Sequence, residues 1–149
     1  MLDPDDPAPD FDLQGTADGG VGPYRLSAAT NRAPAVVAFV PGDDPDSRTL
    51  LTTLAETDWE NVSDAVAVFG IVPASIDDCQ ALAATLSLPY PLLSDRAGVA
   101  DQFGVREPDG GVKRAAFVVD RQCRVRATTA LDAGDMSDLD RILNVLADL

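Results

Sequence analysis

The sequence predicts an α/β domain with a central mixed β-sheet, helices on both faces and an N-terminal β-hairpin. Three observations carry that reading. Ala35 to Val40 and Ala65 to Val72 are continuous apolar runs rich in β-branched residues, as expected of strands buried on both faces. Between and after them lie amphipathic segments that open on Ser or Asp caps. Strands and helices alternate through the first two-thirds of the chain, and a hairpin and a helix close it, an order that suits a mixed sheet.

Taken in order, residues 1–9 are rich in Pro and Asp and read as a flexible arm. Phe11 to Leu13 and Tyr24 to Leu26 read as two short strands, with Gly15, Gly19, Gly20 and Gly22 loosening their connection. Pro41 to Ser47 has the turn chemistry of a loop. Ser47 is placed to cap a helix from Arg48 to about Trp59, with Leu50, Leu51, Leu54 and Ala55 as its apolar stripe and Trp59 closing its end. Ser75 and Asp78 form a capping box that opens a helix over 76–86. Pro91 to Leu93 reads as a short strand and Gly98 to Phe103 as a short helix. Arg114 to Asp120 and Arg124 to Thr129 read as a hairpin. Ser137 and Asp140 form a second box, opening a last helix over 137–149 with Leu139, Ile142, Leu143, Leu146 and Leu149 on one face.

Length and composition set the class. A chain of 149 residues, 46% of them hydrophobic, reads as one domain over 1–149 with a core that needs no metal or disulfide staple. No apolar run approaches the roughly 20 residues that span a bilayer, and the acidic start Met1 to Asp6 is unlike a signal peptide, so a soluble cytoplasmic protein is expected. The formal charge is −14, of 25 acidic residues 22 are Asp, and Lys113 is the only lysine against ten arginines. Such a charge repels nucleic acid and anionic membranes. The Asp-for-Lys bias, spread along the whole chain, is similar to that of proteins from extreme halophiles, although an acidic partner-binding surface has the same composition. The chain has no histidine, which removes Ser-His-Asp triads, Cys-His dyads and His-based metal sites. Its two cysteines, Cys79 and Cys123, form no CxxC motif.

Several stretches in register resemble the peroxiredoxins, the alkyl hydroperoxide reductase and thiol-specific antioxidant family, and among them the small type named for bacterioferritin comigratory protein. Ala8-Pro-Asp-Phe11 resembles the family's approach to its N-terminal hairpin, and Phe39-Val-Pro-Gly-Asp-Asp44 its first core strand and active-site loop. Leu88-Pro-Tyr-Pro-Leu-Leu-Ser-Asp95 is similar to its LPFPLLSD stretch, and Arg114-Ala-Ala-Phe-Val-Val-Asp120 to its RxTFVID strand. The resemblance covers residues 8 to about 130 and implies a thioredoxin-like fold of the peroxiredoxin type. The family's catalytic pattern is Pro-x-x-x-Thr-x-x-Cys, completed by an Arg from the late strand. Its Cys sits at a helix N-terminus, where the macrodipole and the Arg stabilise the thiolate. On that pattern Pro41 matches the Pro and Arg114 the Arg, Pro45 stands at the Thr position and Arg48 at the Cys position. No cysteine lies anywhere in residues 1–78. The resemblance therefore implies a peroxidase ancestry with a vestigial site of Pro41, Pro45, Arg48 and Arg114, and no cofactor.

The remaining candidates carry two readings each. Arg48 either pairs with the nearby Asp43, Asp44 and Asp46 or joins Arg114 in an anion site at a helix N-terminus. Cys79 lies on the apolar face of its helix, as a buried hydrophobe or a redox thiol. Cys123 stands where the family usually has Gly in a turn, a position that favours φ > 0, and is expected near the surface, as an incidental thiol or a redox-active one. Two functions follow: a catalytically inactive homologue that binds a partner protein or a small anion, or a thiol-dependent peroxidase using Cys79 or Cys123. Symmetric homodimerisation is a further expectation.

Overall fold

Alternating apolar runs and capped helices build one seven-stranded sheet in the computed structural model, which describes residues 1–17, 20–59, 65–96, 98–131 and 139–149. The elements are β1 (Asp12–Ala17), β2 (Gly20–Arg25), α1 (Leu26–Thr30), β3 (Ala35–Phe39), α2 (Pro45–Glu56), β4 (Ala67–Val72), α3 (Ile76–Leu86), β5 (Leu92–Ser94), α4 (Val99–Gln102), β6 (Ala115–Val119), β7 (Val125–Ala130) and α5 (Leu139–Ala147). The strand order is β2-β1-β5-β4-β3-β6-β7. Strands β3, β4 and β5 run parallel; β1–β5, β1–β2, β3–β6 and β6–β7 are antiparallel. The expected mixed sheet with helices on both faces is present.

All five residues of β3 are buried, because alternate side chains enter two separate cores. Val36 and Ala38 pack with Leu50, Leu51, Leu54, Cys79, Leu82, Ile142 and Leu146, under α2, α3 and α5. Ala35, Val37 and Phe39 pack on the opposite face with Phe11, Leu26, Phe69, Phe103 and Phe117. Three of those rings, Phe39, Phe103 and Phe117, sit with centroids 5.1–5.8 Å apart in tilted and edge-to-face geometry. No helix among the described residues is long and apolar enough to cross a membrane.

Several local expectations are corrected. The first two strands are longer than expected and pair from Asp12↔Arg25 to Ala17↔Gly20, so Gly15, Gly20 and Gly22 are strand residues and not a loose connection. Gly15 is required by close approach: a Cβ there would run into Leu93 and Tyr24. Leu26 begins helix α1 and does not end a strand. That five-residue helix was missed because its support is non-local: the Asp10 carboxylate accepts the Ser27 N–H at 2.9 Å and its hydroxyl at 2.8 Å. Helix α2 starts at Pro45, three residues before the expected start, capped by Asp44 and not by Ser47. Strand β4 begins at Ala67, two residues late.

The segment read as a free arm lies against the protein, with N–H groups of Leu2, Asp5 and Ala8 donating to carbonyls of Phe103, Val125 and Cys123. Ser75 caps α3 as expected, accepting the Asp78 N–H at 3.2 Å. The last helix buries Leu139, Ile142 and Leu146, but Leu149 is 42% exposed. Gly19 and the Ser137 part of the final capping box lie outside the described residues.

Candidate functional site: the turn from β3 into α2

Strand β3 delivers the chain to its C-terminal edge, where the Val40 N–H donates to the Ile71 carbonyl of β4 at 3.0 Å. Pro41 follows and turns the chain out of the sheet. Asp44 then takes the extended conformation of an N-cap (φ −137°, ψ 166°), which the following proline enforces, and Pro45 occupies the first helical position, where no N–H is needed. One Asp44 oxygen accepts the Ser47 N–H at 2.8 Å, and the other accepts the Ser47 hydroxyl at 2.9 Å. Ser47 is wholly buried, so its hydroxyl is satisfied from within the turn.

Arg48 turns back toward the loop. Its Nε and Nη2 donate to the two oxygens of Asp43 at 2.6 and 3.0 Å, a bidentate pair with both side chains about half exposed. That hydrogen bond holds the Asp43 carboxyl below its usual range and raises Arg48 further above its own. Arg114 reaches the same turn from the sheet. The antiparallel register Phe39↔Ala115 sets it beside the residue that follows β3. Its Nη1 donates to Asp44 at 3.3 Å, and Nη2 lies 3.7 Å from Asp46. Arg114 is mostly buried, and its Nε has no hydrogen-bond partner among the described residues.

The structure therefore brings Pro41, Pro45, Arg48 and Arg114 to one turn, together with Asp43, Asp44 and Asp46. Both arginines face carboxylates of this chain. A cleft of about 290 Å³ beside the turn is walled by Asp43, Asp78, Ala74 and Leu82, so an anion entering from that side meets two carboxylates. The Arg48–Asp43 pairing was legible from its spacing of five residues. The Arg114–Asp44 contact, 70 residues apart, left no local signal.

The thiols lie elsewhere, on opposite faces of the sheet. Cys79 is wholly buried in the core under α2, α3 and α5, and burial, with a smaller contribution from the Asp78 charge, pushes its thiol up to about 11. Cys123 is half-buried against the phenylalanine core with φ +61°, its Sγ 3.4 Å from the Thr30 hydroxyl. Both are free thiols, and a disulfide between them would have to pass through the sheet.

Comparisons with known proteins agree on one lineage. A family model described as the AhpC/TSA family matches residues 4–128. A curated peroxiredoxin from Ignicoccus hospitalis is 36% identical over 64 residues, which is 41% of this chain and only 27% of that protein. Among solved structures, peroxidoxin BcpB from Mycobacterium tuberculosis superposes with a TM-score of 0.84 at 26% identity, covering 99% of this chain and 97% of that one. AhpC from Enterococcus faecalis superposes with the same TM-score of 0.84 at 22% identity, over 97% and 92% of the two chains, a likeness of fold.

Proposed function

The chain belongs to the AhpC/TSA family, and from that membership we propose that it is a peroxiredoxin-like protein without peroxidase activity that acts by binding. One observation carries the reading: a carboxylate, that of Asp44, occupies the N-terminus of α2 and holds both the Ser47 N–H and Arg114. Attack on a peroxide O–O bond needs a thiolate at such a terminus, with free donors to orient the peroxide oxygens. Here Arg48 stands in the first turn, a permanent cation that is no nucleophile. Pro45 supplies neither a hydroxyl nor an N–H. The Ser47 and Thr49 hydroxyls are held within the turn, one donating to Asp44 and the other to the Pro45 carbonyl, and a hydroxyl is not appreciably ionised at neutral pH.

Thiol chemistry at Cys79 or Cys123 is the competing reading. Burial opposes it at Cys79, whose thiolate is disfavoured at neutral pH. Anion binding between Arg48 and Arg114 would have to displace Asp43 from the one and Asp44 from the other. A partner protein, a second copy of this chain included, meets no such cost. The test is hydrogen peroxide consumption with dithiothreitol as reductant. We expect the buffer rate; turnover that disappears in Cys79→Ser or Cys123→Ser would establish the thiol enzyme instead.

A further inference from the structure

At the other end of β3 from the Asp44 turn, a cleft of about 410 Å³ is lined by Arg32, Arg121 and Arg126, with Asp120, Pro34 and Leu149. We propose that this cleft binds a small molecule through a phosphoryl group. The inference stands apart from the question of peroxidase activity, because no residue of the Asp44 turn takes part in it.

The charge distribution is the first argument. The chain carries −14 overall and only ten arginines, yet three of them converge here from the turn before β3, the β6–β7 turn and the start of β7. Of the seven other arginines, four face carboxylates one to one or better, Arg25 with Asp12, Arg48 with Asp43, Arg106 with Asp101 and Arg114 with Asp44 and Asp46, while Arg124 and Arg141 donate to the Asp5 and Thr128 carbonyls. Here Asp120 is the one acidic side chain among the lining residues, against three guanidiniums. It is already committed: one Asp120 oxygen accepts the N–H groups of Gln122 and Arg124 at 2.9 and 3.0 Å, forming the β6–β7 turn. The other takes Arg126 at 3.4 Å.

That leaves two guanidiniums open. Arg32 makes no side-chain hydrogen bond or ion pair among the described residues, and Arg121 makes only a long contact of 3.5 Å to the Asn31 carbonyl. Like-charged guanidiniums held on one cleft repel each other, and a multiply charged oxyanion removes that repulsion. A phosphoryl group offers three oxygens to guanidinium forks that match its geometry, where a monocarboxylate offers two. The cleft volume falls in the range of small-ligand sites, and Pro34 and Leu149 give it an apolar wall for the rest of the molecule.

The experiment is a titration of the ¹⁵N-labelled full chain with inorganic phosphate in about 0.2 M KCl, following amide shifts. We expect saturable shifts centred on residues 31–34 and 120–126. The double variant Arg32→Ala/Arg121→Ala should weaken binding about tenfold or more, Arg32→Lys less than Arg32→Ala, and Arg25→Ala not at all. Both altered side chains are exposed, and Arg32→Ala alone serves if the double variant misfolds. Non-saturating shifts, or binding unchanged in the arginine variants, would overturn the site. Succinate binding as tightly as phosphate would overturn the phosphoryl assignment.

Discussion

Cys79 shows how one buried side chain sets measurable chemistry. Its thiol is pushed up to about 11 from an ordinary 9.0, so the folded state favours the neutral form. The unfolded chain ionises first as pH rises, and stability present below pH 9.0 is lost between there and about 11. The free energy of unfolding should fall over that window in the wild type and stay flatter in Cys79→Ala, measured by urea denaturation across pH. In native protein at pH 8, a thiol reagent should label Cys123 first and reach Cys79 only on unfolding. Arg48 makes a second residue-scale prediction. Arg48→Cys places a thiol in the first turn of α2, but Arg114 already faces Asp44 and Asp46, so the thiolate gains less from it than the family pattern implies. Peroxide turnover by Arg48→Cys should be weak, and Arg48→Cys with Pro45→Thr should exceed it. Equal rates for the two variants would show that Pro45 is not limiting.

At the scale of elements, Asp44 joins α2 to β6. It caps the helix through Ser47 and holds Arg114 across the sheet edge. Asp44→Ala should cost about 1–2 kcal/mol by loss of the cap, read as a lower melting temperature. Asp44→Asn keeps a capping oxygen and loses the charge, so its difference from the wild type reads the contact to Arg114 and its difference from Asp44→Ala reads the cap. The hairpin makes a parallel case. Gly15 lies under Tyr24 and beside Leu93, and Gly15→Ala should cost about 1–3 kcal/mol, as overpacking does in a close-packed layer. A wild-type melting temperature in Gly15→Ala would mean that the hairpin yields easily.

The whole molecule is governed by its charge. With 25 acidic residues against 11 basic ones, repulsion among carboxylates opposes the compact state in dilute buffer. If the Asp excess is an adaptation to salt, the melting temperature should rise markedly from about 0.1 to about 2 M KCl as the screening length shrinks to a few ångströms. An unchanged melting temperature would assign the acidic surface to partner binding instead. Salt also separates the two functional proposals, since phosphate binding at Arg32 and Arg121 should weaken with ionic strength while the absence of peroxide turnover should not change.

What the amino-acid sequence determined by itself was the order of strands and helices apart from α1, the Ser75 cap, the place of Cys79 on the apolar face of its helix and the lack of any thiol before residue 79. These features are written in apolar periodicity, in caps that act over three or four residues, and in composition, all of which are local to the chain. Tertiary structure alone decided the Asp10 support of α1, the docking of residues 2–8, the Asp44–Arg114 contact and the separation of the two thiols by the sheet. It also gathered Arg32, Arg121 and Arg126 into one cleft. The physical reason is the same in each case: the partners lie far apart in the chain, and only the strand order and register of the sheet bring them within hydrogen-bonding or Coulombic reach.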